Sequence, residues 1–180
     1  MKAFAHMMML CNITVRIEKA EKQDLPDILA LQKTAYKSEA EIYKDFSIQP
    51  LRQTIEETEK EWESHIFLKA VDEHGDIVGS VRAAAENGVC FVGKLMVHPE
   101  FQNKGIGKSL MAAIENQFKD SDFFELFTGS KSRKNIALYE KLGYSPVRRE
   151  NIREDFGLVY LRKEHPEKTE RKNNDLFPME

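Results

Sequence analysis

The chain has 180 residues, 41% hydrophobic and 32% charged, with a formal net charge of -3, the composition of an ordinary globular domain. A domain of this length buries roughly 70% of the surface its unfolded chain exposes, so it needs neither disulfide staples nor a structural metal. The balanced charge argues against a nucleic-acid coat and against a wholly disordered chain, and no stretch approaches the roughly 18 apolar residues of a membrane span.

Residues 1–12 read as an N-terminal extension. The stretch 3–11 is apolar and follows Lys2, yet His6 breaks it, it is short for an export signal, and it ends in Leu10 and Cys11 where cleavage wants small residues. Residues 13–17 alternate β-branched and polar side chains, the pattern of a half-buried strand. Asp24 can cap the next element and Pro26 suits its first turn, so Leu25, Ile28, Leu29 and Leu31 mark a helix running toward Tyr36. Residues 37–50 lose that spacing. A second helix follows over 51–62, glutamate-rich on its exposed side and ending in Trp62, a packing anchor.

Residues 65–71 and 77–84 read as strands joined by the turn 72–76, and Asn87-Gly88 turns the chain into the strand 89–97. Its nearly unbroken apolar character places that strand in mid-sheet, buried on both faces. A helix over 107–118 presents Leu110, Met111, Ile114 and Phe118 on one face. The strand 123–128 comes next, parallel to 89–97 because a helix joins them. A short helix over 134–142 ends at Gly143, and the strands 146–149 and 156–161 close the pattern. The domain runs from 13 to 162, and the charged stretch 163–180 reads as a tail. Cys11 and Cys90 have neither metal-ligand spacing nor the density of a disulfide scaffold, which points to reduced thiols and a cytoplasmic protein. His65 and His74 have no carboxylate or cysteine at ligand spacing, so no metal is expected.

The segment Val97-His98-Pro99-Glu100-Phe101-Gln102-Asn103-Lys104-Gly105-Ile106-Gly107-Lys108 leaves a strand and enters a helix. Backbone N–H groups at a helix start have no intrahelical partners and carry the positive end of the dipole, so such a turn suits a pyrophosphate. Gly105 and Gly107 let the backbone approach closely, and Lys104 and Lys108 supply countercharge. Gly107-Lys108-Ser109 imitates the end of a Walker loop, but the first glycine of that loop is missing; Leu110 stands where a dinucleotide fingerprint needs its third glycine. On the loop alone, an ordinary glycine turn remains an equal reading.

A second block, Asn135-Ile136-Ala137-Leu138-Tyr139-Glu140-Lys141-Leu142-Gly143-Tyr144, breaks the tie. Together with Gln102-x-x-Gly105-x-Gly107 after Val97-x-Pro99, it resembles the GNAT superfamily of N-acetyltransferases over residues 14–162. The resemblance implies an α/β (α+β) fold: a mixed, mostly antiparallel central sheet of about seven strands, helices on both faces, and fourth and fifth strands that splay apart around acetyl-CoA. It implies that Leu95, Met96 and Val97 hold the pantetheine through the main chain, and that Gln102, Asn103, Lys104, Gly105, Ile106, Gly107 and Lys108 carry the pyrophosphate. It further implies that Asn135 holds the pantetheine arm or a water, and that Tyr139 addresses the thioester sulfur. Spacing alone supports one part of this, since residues four apart share a helix face. A homodimer is a family expectation that no pattern here demonstrates.

Acetyl transfer to an amine needs a neutral amine, a held oxyanion and a proton for the leaving thiolate. Tyr139 is the candidate general acid. Glu39 and Glu41 are candidate bases, with a water chain as the alternative. Tyr36 and Tyr43 beside them would suit a cationic amine of a small molecule or peptide, and core packing explains them equally well. His98 and Cys90 read as structural, and Arg148, Arg149 and Arg153 as a small solvated basic patch. Direct attack in a ternary complex is the expected route; a module that binds acyl-CoA without transferring it is the alternative. The acceptor stays open, because family likeness fixes the donor only.

Overall fold

The computed structural model describes residues 14–165, so the expected extension 1–12 and all but the first residues of the charged tail lie outside the described residues. Seven strands form one mixed sheet in the order β1-β2-β3-β4-β5-β7-β6. β1 (Arg16–Lys19), β2 (Ile66–Val71), β3 (Ile77–Glu86) and β4 (Val89–Val97) pair antiparallel in succession. β5 (Phe123–Gly129) lies parallel to β4, and β7 (Phe156–Glu164) and β6 (Ser145–Arg153) complete the sheet antiparallel. Asn87 and Gly88 take φ of 51° and 79° in the β3–β4 turn, the left-handed geometry that Asn-Gly adopts with least strain.

Helices cover both faces. On one, α5 (Ile106–Gln117) presses Ile106, Leu110, Met111 and Ile114 against Val78, Val81 and Val92 of the sheet, and α6 (Arg133–Lys141) adds Tyr139. On the other, Leu25, Ile28 and Leu31 of α1 (Leu25–Ala35) meet Phe67 and Met96, with the Trp62 ring of α4 (Ile55–Trp62) tilted against Phe67 at 5.4 Å.

Four local outcomes differ from expectation. Asp24 makes no side-chain cap to α1, because its carboxylate accepts from the Glu21 N–H and pairs with Lys69 at 2.7 Å. Residues thought irregular form α2 (Lys37–Tyr43), which restarts directly after α1 at Tyr36. The single helix expected over 51–62 is two, α3 (Gln49–Arg52) and α4, because Thr54 and Glu57 close a capping box that begins a new helix. The last strand runs to Glu164, where Lys163 pairs with Glu115 of α5 at 2.7 Å.

Gly79 of β3 sets how closely α5 approaches: a Cβ there would lie 3.0 Å from Leu110 Cδ1 and 3.2 Å from both Ala70 Cβ and Ile106 Cγ2. Gly79→Ala should therefore overpack this seam and lower stability by about 1–3 kcal/mol, read from the urea midpoint.

Candidate active site

The sheet opens in its middle. β4 and β5 pair only at Val89↔Phe123, Cys90↔Phe124 and Phe91↔Glu125, whereas β5 stays paired with β7 along its whole length to Gly129↔Leu158. Beyond Phe91 the β5-facing edge of β4 runs free to Val97. Within that stretch β4 carries a bulge: Ser80 and Arg82 of β3 oppose Met96 and Gly93, so β4 has one residue more than its partner, and Lys94 takes a left-handed φ of 51°.

The glycine turn closes the end of this gap. Asn103 and Gly105 hold φ of 62° and 83°, and α5 begins at Ile106 with no side chain capping its first turn. The early N–H groups of α5 are thus not taken by a capping side chain. A Cβ on Gly107 would stand 3.8 Å from Val97, 3.9 Å from Leu95 and 3.8 Å from Leu138 of α6. Gly107 therefore sits where β4, α5 and α6 converge. The flanking polar groups fold back on the turn: Gln102 Nε2 donates to the Val97 carbonyl at 3.2 Å, and Lys104 Nζ donates to the Glu100 carbonyl at 2.7 Å. Lys108 is exposed, while the side chains of Met96 and Ile106 are core.

Glu39 and α6 meet across the sequence. Asn135 Nδ2 donates to Glu39 Oε1 at 3.0 Å, and the Ser132 hydroxyl donates to Glu39 Oε2. Ser132 is the N-cap of α6 and makes no cap of its own, so the Glu39 carboxylate supplies negative charge at that helix start. Tyr139 is buried, and burial raises its phenol pKa above the ordinary value, with smaller upward pushes from Tyr36 and Glu39. Asn135, Tyr139, Glu39 and Tyr36 thus share one neighbourhood. Glu41 does not join it: it is exposed, and two residues along a helix is about 200° around it. Tyr43 is an anchor, its oxygen accepting from the Lys131 N–H at 2.8 Å and its ring packed edge-on to Phe156 at 4.9 Å.

A buried polar cluster escapes the sequence reading altogether. Arg82, 3% exposed on β3, pairs with Glu61 of α4 at 2.5 Å and donates to Gln53 Oε1 at 3.1 Å. Gln32 of α1, fully buried, donates to the same oxygen at 2.8 Å and to the Pro50 carbonyl at 2.9 Å. Tyr36 borders the cluster, and burial pushes its phenol up to about 12. Charged residues inside the apolar runs at Arg82 and Lys94 were the available signal, because such residues are seldom buried without partners.

The remaining candidates have local explanations. Arg153 is held by Asp45 at 2.7 Å, and Arg148 lies 3.7 Å over the Tyr160 ring. A surface depression of about 540 Å³ lies elsewhere, between α1 and β1–β2; its Lys69 is already paired with Asp24 and Glu18. Among the described residues no group of three His, Cys, Asp or Glu side chains is placed to hold a metal, and no helix is long and apolar enough to cross a membrane.

Residues 25–144 match the family model described as "Acetyltransferase (GNAT) family". Among solved structures, the PaiA N-acetyltransferase of Thermoplasma acidophilum in complex with coenzyme A is 18% identical, with a TM-score of 0.69 over 84% of this chain and 99% of that one. A phosphinothricin acetyltransferase of Sinorhizobium meliloti in complex with acetyl-CoA is 17% identical, with a TM-score of 0.69 over 86% and 90%. The protein YqkA of Bacillus subtilis is 25% identical over 133 residues, 74% of this chain, and the chain spans 37% of the length of that relative.

Cys90 lies fully buried on β4, where burial, with a smaller contribution from Glu115, pushes its thiol up to about 12. The thiol is therefore held protonated at pH 8. Mass spectrometry of the Cys90 peptide after iodoacetamide treatment at that pH should show no label until the chain is unfolded.

Proposed function

Because the chain belongs to the acetyltransferase (GNAT) family, we propose that it moves the acetyl group of acetyl-CoA to a primary amine of a small molecule or peptide, by direct attack in a ternary complex. The observation that carries this reading is the free edge of β4 beyond Phe91, which ends at an uncapped helix start and is flanked by α6. An extended pantetheine can pair with main-chain groups at Leu95, Met96 and Val97 as an added strand does. Its pyrophosphate then meets the first N–H groups of α5, with Gly105 and Gly107 clearing the approach.

Asn135 and Tyr139 address the same ligand from one face of α6. A thiol of ordinary pKa, about 8.5, is a stronger acid than a buried phenol, so full proton transfer from Tyr139 to the leaving sulfur runs uphill. Tyr139 accordingly serves as a fixed hydrogen-bond donor that steadies the thiolate as it departs. Glu39, already hydrogen-bonded to Asn135 and Ser132, is the carboxylate nearest this machinery and takes the amine proton directly or through water. Glu41 has no part in the proposal.

Two variants test the reading. Tyr139→Phe should lower kcat for CoA release by about tenfold or more while the calorimetric acetyl-CoA affinity changes by less than about twofold. Unchanged turnover would remove Tyr139 from this role, and acetyl-CoA binding without turnover on any amine would identify a binding module. Gly107→Ala should keep its urea midpoint, since its Cβ meets only ordinary contacts near 3.8 Å. That methyl enters the convergence of β4 and α6, so acetyl-CoA binding should weaken by about tenfold.

A further inference from the structure

Lys94 sits in the β4 bulge with a conformation that side-chain-bearing residues rarely hold. Its Nζ lies 2.6 Å from Gln49 Oε1 and 5.6 Å from the centre of the Tyr36 ring. Both partners are neutral. The charged groups around it are Arg82 on β3 and Glu61 and Glu57 on α4, while Tyr36, between α1 and α2, also feels Glu39 of α2. Glu61 is committed to Arg82 at 2.5 Å, and the Glu57 carboxylate accepts from the Thr54 N–H at 2.9 Å to close the capping box. Two cations thus face two carboxylates, but both carboxylates have other direct partners, and Lys94 Nζ itself is in contact with neutral groups only. This ammonium lies against Tyr36, which is near enough to Glu39 and Tyr139 to interact with both electrostatically.

Building on the transferase reading, we infer that Lys94 is the specificity-determining residue of the acceptor subsite and pairs with an anionic group, a carboxylate or phosphorus oxyanion, carried by the amine acceptor. An ammonium with one neutral partner keeps two N–H donors for such a group. The Lys94 charge itself repels a second cation at this place and so disfavours polyamines. Burial, reinforced by Arg82 and opposed by Glu61 and Glu57, draws the Lys94 pKa down to about 8. The sign follows. Below pH 8 the free protein presents the cation; as pH rises through 8 that charge is lost and an anionic acceptor binds more weakly.

The test measures CoA release at pH 7 with each L-amino acid against its own carboxamide, with aminoalkylphosphonates, and with spermidine. The acid forms, or the phosphonates, should exceed the carboxamides by about tenfold in kcat/KM, with spermidine behind both, and the ranking of the first two identifies the anion. Lys94→Met should raise KM for the preferred anion by about tenfold and bring the acid-to-amide ratio near one. Lys94→Arg should keep the preference. From pH 7 to 9 the KM for that anion should climb in the natural protein and stay flat in Lys94→Arg, a split that a packing role would not produce. Equal use of acids and amides, or a preference for spermidine, overturns the assignment, as does a Lys94→Met loss shared by every acceptor. If Lys94→Met does not fold, the natural acid-to-amide ratio and the Lys94→Arg pH profile decide. No CoA release from any amine overturns the transferase reading, and this assignment with it.

Discussion

The whole arrangement depends on β4 and β5 parting after Phe91 and Glu125. Backbone N–H and C=O groups in the middle of a sheet are normally paired, and a free edge there is costly unless something holds the strands apart. β5 is drawn the other way by its continuous ladder with β7, and its far end is fixed from below: Tyr43 packs against Gly129 and takes the Lys131 N–H. A Cβ on Gly129 would collide with the Tyr43 ring, 2.8 Å from Cζ, so this anchor requires a glycine at the strand end.

Two sets of polar clamps share the task. Tyr43 and the Asp45–Arg153 pair bind the end of α2 to the β5-β7-β6 half, while Gln32, Gln53 and Glu61 bind α1, α3 and α4 to Arg82 on the β1-β4 half. The two helical groups meet at Tyr36, between α1 and α2. A buried ion pair contributes little net stability after desolvation, yet removing one partner strands the other, so such a cluster fixes geometry more than it adds stability.

The parts of this design legible in the sequence were local. Alternation, turn dipeptides and short apolar runs located seven strands, and for 89–97 the bounds coincide with β4. The glycine turn and the Asn135, Tyr139 pair were legible because their spacing is short. Contacts between distant residues were not: Glu39 reaches Ser132 and Asn135 at separations of 93 and 96 residues. Nor did periodicity reveal α2, whose seven residues are too few to show a clear face and depend on Ala40 and Tyr43 being buried by tertiary packing. The Thr54 and Glu57 capping box was a local sign of the break before α4 and was missed.

The extra residue at Lys94 also changes what the run 89–97 is. Before it, Cys90 and Val92 face the α5 side; after it, Leu95 and Val97 do, and Met96 faces α1. Even-numbered positions point one way upstream and odd-numbered ones downstream, so β4 is two half-strands of opposite phase spliced at a lysine. Gly93 and Lys94 occupy the splice and Phe91 upstream of it is 45% exposed, so the strand is not buried on both faces as its apolar run suggests. Deleting a single residue there would restore simple alternation and, in doing so, turn Leu95, Met96 and Val97 inside out.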